Sequence, residues 1–144
     1  MAASTGGAGT LYTSTDSGST WTLQTSSPAV AQTSLSQSSD GAKLEISAPG
    51  GGVFFSIDGG STWTERDIPV TSRVIYLGSD AAGAMVVALD AAGDMYTTTD
   101  LGTTWTLQTG LHTTGWGNMV LSSDGKKIAV EDWNANSVWI GVAP

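Results

Sequence analysis

The chain has 144 residues, no cysteine and a formal net charge of −8, with 40% hydrophobic and only 12% charged side chains. Five cationic side chains (Lys43, Arg66, Arg73, Lys126 and Lys127) cannot make the basic stripe that a phosphate backbone or an anionic membrane surface requires, so neither nucleic acid nor membrane is an expected partner. Without cysteine there is no disulfide framework, thiolate metal site or thiol nucleophile.

Residues 1–10 are expected to be a flexible segment. Their MAASTGGAG run lacks the positive and apolar stretches of a leader peptide. From residue 11 the chain becomes periodic. LYTSTDSGSTWTLQT starts at 11, VFFSIDGGSTWTERD at 53 and MYTTTDLGTTWTLQT at 95, with a truncated VWIGV at 138. The first and third match at eleven of fifteen positions, which points to recent duplication or to design. The repeats are therefore placed at about 11–52, 53–94 and 95–137, with a partial fourth at 138–144, all in one domain.

Within a unit the apolar, β-branched and aromatic residues fall into short runs bounded by Gly, Asp or Ser. One such set of four, running from the second repeat into the third, is 73–77, 84–89, 95–99 and 104–109. Turn residues join them: Asp40-Gly41, Asp124-Gly125 and the longer Asp80-Ala-Ala-Gly83. Amphipathic helix patterns are missing, so the expected class is all-β. Four antiparallel strands in about 42 residues describe one blade of a β-propeller.

Each unit carries the phrase Ser/Thr-x-Asp-x-Gly-x-Thr-Trp in the turn between its third and fourth strands. It contributes Asp16, Gly18 and Trp21, then Asp58, Gly60 and Trp63, then Asp100, Gly102 and Trp105. The Asp is expected to accept N–H groups of its own turn, the Gly to take a left-handed conformation, and the Trp to pack back against the sheet. These phrases resemble the Asp-box, or BNR repeat, of sialidases, sortilin-type receptors, photosystem assembly factors and several lectins. The segments 35–41 and 116–125 resemble the strand that precedes the box in bacterial repeats of this kind. The resemblance implies a propeller in which the box is structural and lies away from the ligand site, and it implies a secreted or periplasmic location.

Sialidases of that family clamp a substrate carboxylate with three arginines. This chain has two, Arg66 and Arg73, both in one repeat, so no enzyme of that kind is expected. Glu45, Glu65, Glu131 and Asp132 could in principle pair for glycoside hydrolysis. Glu45 and Glu131, on equivalent second strands, are expected instead on the solvated face. His112, the single histidine, has no partner at nucleophilic-triad spacing and is expected to be exposed. Asp40, Asp80 and Asp124 are expected to be turn acceptors, and no cofactor or metal is indicated.

Three tryptophans depart from the repeat. Trp116 stands where earlier units have Gln32 and Ser72, and Trp133 where they have Pro49 and Ala91; Trp139 lies in the closing strand. Trp139 is expected to plug that strand. Trp116 and Trp133, with Asn134, Asn136 and His112, are the candidate ligand site, because flat rings beside amides suit a sugar. The expected function is therefore lectin-like, with a glycan and a second copy of the chain as partners; the alternatives are a structural or engineered propeller fragment whose main property is assembly, or a protein-binding scaffold. Three blades cannot close a ring, and a homodimer would give six. In that dimer, residues 11–25 of one chain and 116–132 of the other would share one sheet.

Overall fold

The structure, a computed structural model, describes residues 1–5, 9–49, 52–70, 72–110 and 113–142; His112 lies outside them. Among the described residues there are fourteen strands and no helix. The first sheet holds β1 (Ala2–Thr5), β2 (Thr10–Thr13) and β3 (Thr22–Gln24). The second holds β4 (Ser34–Gln37), β5 (Leu44–Ser47), β6 (Gly52–Ser56) and β7 (Thr64–Asp67). The third holds β8 (Val74–Ser79), β9 (Val86–Asp90), β10 (Met95–Thr98) and β11 (Thr106–Gln108), and the fourth β12 (Trp116–Leu121), β13 (Lys127–Asp132) and β14 (Ser137–Val142). All pairings are antiparallel between strands adjacent in sequence, as short turns demand.

The sheets follow one another in chain order, with β1 touching β4, β4 touching β8 and β8 touching β12. Apolar cores fill the three gaps. Leu11, Leu44 and Ile46 pack between the first and second sheets, and Val53, Phe55, Val86, Ala88 and Tyr96 between the second and third. Val87, Leu89, Met95, Trp116, Ile128 and Val130 pack between the third and fourth. A middle sheet is thus buried on both faces, and β9 is buried at all five residues. The blades are those of a β-propeller.

Four sheets replace the three blades and spare strand expected from the repeat. Within residues 1–10, expected to be flexible, Ala2–Thr5 form β1, which pairs with β2 from Ala2 opposite Thr13 to Thr5 opposite Thr10. The Met1 ammonium donates to the Ser14 carbonyl at 2.8 Å, and the Ser14 N–H returns a bond to the Met1 carbonyl. Left bare, that edge of β2 would expose a row of unpaired backbone groups. At the other end, the VWIGV of the partial fourth repeat lies within a full strand. It forms β14 beside β13, with Val130 opposite Trp139 and Ala129 opposite Ile140. Residues 11–25 and 116–132 therefore lie in separate sheets of one chain.

A cleft between two tryptophans at one end of the sheets

The repeated turns show what the Asp phrase does. In each, one carboxylate oxygen accepts the backbone N–H of the following Thr (Thr20, Thr62, Thr104) at 2.8–2.9 Å, and the other accepts its hydroxyl at 2.6–2.7 Å. The opening Ser14, Ser56 or Thr98 hydroxyl is the hub that the sequence did not disclose. It donates to the Asp and accepts the N–H of the Gly. These bonds hold Asp16, Asp58 and Asp100 at a pKa of about 2, the Thr hydroxyl and N–H contributing most. Each carboxylate accepts three hydrogen bonds from its own turn, which is what fixes that turn. Asp40, Asp80 and Asp124 likewise accept turn N–H groups, from Ala42, Ala84 and Lys126. Among the described residues no three His, Cys, Asp or Glu side chains cluster to hold a metal.

Glu45 departs from expectation. Instead of facing solvent it is fully buried, its carboxylate in the gap between the second and third sheets. Neither oxygen has a hydrogen-bond partner, and the nearby Ser36 and Ser79 hydroxyls bond to each other at 2.8 Å. Burial pushes its pKa up to about 7, and those two hydroxyls oppose the shift only in part. Its face is buried because a neighbouring sheet covers it, a condition that strand alternation alone cannot reveal. Glu131, by contrast, is exposed as expected.

The starts of β4, β8 and β12 and the end of β13 meet at one rim. There Thr33, Arg73, Ile75, Tyr76, Trp116 and Trp133 line a cleft of about 380 Å³. Trp116 is only 4% exposed, and its indole N–H is buried without a partner. Trp133 is 64% exposed and stands as a wall. Its ring can lie there because residue 117 is glycine: a Cβ at that position would stand 2.5 Å from the Trp133 Nε1. Its backbone is fixed by the Trp133 N–H donating to the Gly115 carbonyl at 2.8 Å. Arg73 is exposed and its guanidinium donates no hydrogen bond among the described residues.

Of the candidate residues read from the sequence, Trp116 and Trp133 come together in this cleft. Asn136 lines a smaller one of about 190 Å³ behind Trp133, with Glu131, Asp132, Ser137 and Val138; it sits at φ 50° as a turn residue. Asn134 is tied inward, its amide donating to Thr114 Oγ1 and its N–H to Asp132 Oδ1. Trp139 does not plug a core: it is 46% exposed, with Nε1 3.4 Å from Asp132 Oδ2. Arg73, Tyr76 and Thr33 were not legible as site residues, since only the stacking of sheets brings their strand starts beside Trp116.

No family model matches the chain, and no curated protein matches it. Solved structures do. The GH74 enzyme of Niastella koreensis superposes with a TM-score of 0.68 at 14% identity, over 98% of this chain and 22% of that one. The GH74 xyloglucanase of Xanthomonas campestris gives 0.67 at 18%, over 80% and 18%. YCF48 from Cyanidioschyzon merolae gives 0.68 at 14%, over 94% and 48%, and YCF48 bound to a D1 peptide gives 0.63 at 17%, over 94% and 49%. At these identities the likeness establishes the propeller fold alone. The chain spans less than half the length of each of these structures.

Proposed function

We propose that this chain is a non-catalytic β-propeller module of the Asp-box type that binds carbohydrate and self-associates to complete its ring. The observation that carries the binding reading is the convergence of Trp116, Trp133, Tyr76 and Arg73 on one open cleft of about 380 Å³. The exposed Trp133 face offers an apolar platform for a sugar ring. Arg73 and the Tyr76 hydroxyl supply donors for hydroxyl or carboxylate oxygens. Among the described residues no carboxylate lines the cleft, which speaks against the pair of acids that hydrolysis of a glycosidic bond needs. Repetition of a weak site around an assembled ring would raise avidity without new contacts.

A glycan array with the parent chain and the Trp133→Ala and Arg73→Ala variants tests this. Binding by the parent that falls at least about tenfold in each variant supports it. A parent that binds nothing above background sinks it. A second reading, a natural or engineered propeller fragment whose property is assembly itself, is favoured by the exposed apolar face of the fourth sheet, where Val138 and Ile140 reach solvent.

A further inference from the structure

The two end sheets present unmatched halves of an interface that the chain builds within itself. In β14, Ile140 lies opposite Ala129, as Phe55 lies opposite Glu45 and Thr97 opposite Val87. Val138 lies opposite Glu131, as Val53 lies opposite Ser47 and Met95 opposite Leu89. Val53, Phe55 and Met95 are buried in the clusters against the next sheet, and Thr97 is buried on the same face of its strand as Met95. Their counterparts face nothing: Val138 and Ile140, with Val120 beside them, are 63–78% exposed.

The first sheet shows the converse. Trp63 and Trp105 pack against the apolar clusters between sheets, whereas the matching Trp21 is 42% exposed. Tyr12 is half-buried where its counterpart Tyr96 is buried against the second sheet. The turn glycines mark the same difference. A Cβ at Gly102 would meet the Phe55 ring of the preceding sheet at 2.5 Å, and one at Gly60 would lie 3.7 Å from Gln24 Cγ of the preceding sheet. At Gly18 it would meet only Met1 Sδ and its own turn's Trp21, each at 3.8 Å. The seat beside Gly18 and Trp21 is therefore open on the side where the other turns receive a neighbour.

From this we infer that a second copy of the chain docks head to tail, the Val138–Ile140 face of one copy seated on the Tyr12–Trp21 face of the other. This deepens the self-association reading and rests on it, but not on the carbohydrate cleft. The contact repeats a geometry the chain already uses between its second and third sheets, which gives it a defined register. Two copies close with two such interfaces into a ring of about eight sheets, within the usual range for propellers. Leu23 is not part of the contact, since Leu107 in the same place stays 45% exposed with its neighbouring sheet present.

Light scattering coupled to size exclusion, with circular dichroism to confirm folding, tests the pairing. The parent is expected at twice 14.7 kDa. Ile140→Asp and Tyr12→Asp are each expected to halve that mass. An equimolar mixture of the two is expected to restore the doubled mass, because the intact front of one variant meets the intact back of the other. Val138→Asp and Trp21→Gln serve the same purpose if either first choice unfolds. A parent at single-chain mass overturns self-association and this inference together. A doubled parent that Ile140→Asp dissociates and Tyr12→Asp does not, or a mixture that stays at single-chain mass, overturns the head-to-tail pairing while leaving self-association standing.

Discussion

Phe55 rests against Trp105, ring centroids 6.3 Å apart and planes tilted by 48°. The third strand of one sheet is thereby fastened to the turn of the next, and Gly102 is bare so that the Phe55 ring can reach that turn. Phe55→Ala should cost about 3–5 kcal/mol, because the truncation leaves a cavity between two sheets that cannot collapse independently. Urea denaturation of parent and variant measures it.

The buried Glu45 carboxyl makes stability depend on pH. Its folded pKa of about 7 lies above its ordinary 4.5, so the favourable neutral form is fully present below 4.5. Stability should then decline as pH rises from 4.5 through about 7, by about 3 kcal/mol in all. Glu45→Val borrows the residue found at the equivalent Val87 and should remove that decline, leaving the variant more stable than the parent at pH 8 and little changed at pH 4. A parent whose melting temperature is flat between those limits would contradict the assignment.

The three turn acids act at the other end of the scale. Their pKa values of about 2 lie below the ordinary 3.8, so the stability they contribute is present above 3.8 and is lost as pH falls through about 2. Combined with Glu45, the melting temperature should peak at about pH 4–5 and fall on both sides. Thr104→Val, which removes the hydroxyl but keeps the N–H bonded to Asp100, should lower the melting temperature by a few degrees and weaken the acid limb.

Within each phrase, the residue before the glycine is also left-handed: Ser17 at φ 58°, Gly59 at 70° and Leu101 at 56°. Only the middle unit uses glycine there. Ser17→Gly should relieve strain and stabilise the chain by about 1 kcal/mol, whereas Gly59→Ser should cost about as much. Paired denaturation curves check both signs.

The two cleft tryptophans should separate stability from binding. Trp116→Ala removes a buried ring and should cost about 3–5 kcal/mol. Trp133→Ala, at a ring 64% exposed, should stay within about 0.5 kcal/mol of the parent while losing any carbohydrate affinity. Thermal melts beside a binding assay distinguish the two roles.

Turn chemistry made most of the fold readable. Asp40-Gly41, Asp80 to Gly83 and the Asp phrases mark where strands end, and the expected runs at 73–77 and 95–99 match β8 and β10 closely. What escaped was whatever depends on two covered faces. Alternation along β5 suggests that Glu45 points outward, but a sheet inside a stack has no outward face. The Ala-Ala-Ser-Thr of β1 carries no strand signal of its own and is recruited by the open edge of β2. Trp133 stood out by breaking the repeat. Arg73 and Tyr76 did not, because their partner in the cleft is a strand some 40 residues away.

The Ser/Thr, Asp, Gly and Thr bonding shared by the Asp16, Asp58 and Asp100 turns makes the phrase a natural splice point. A recombination that joins the first half of one phrase to the second half of another restores a complete Ser-Asp-Gly-Thr-Trp turn, whichever two it joins. The product gains or loses a whole number of sheets and never a fraction, with each surviving front still followed by a back of the same design. Chain length in a lineage built this way changes in steps of about 42 residues, and blade number can drift while no single turn is ever remade.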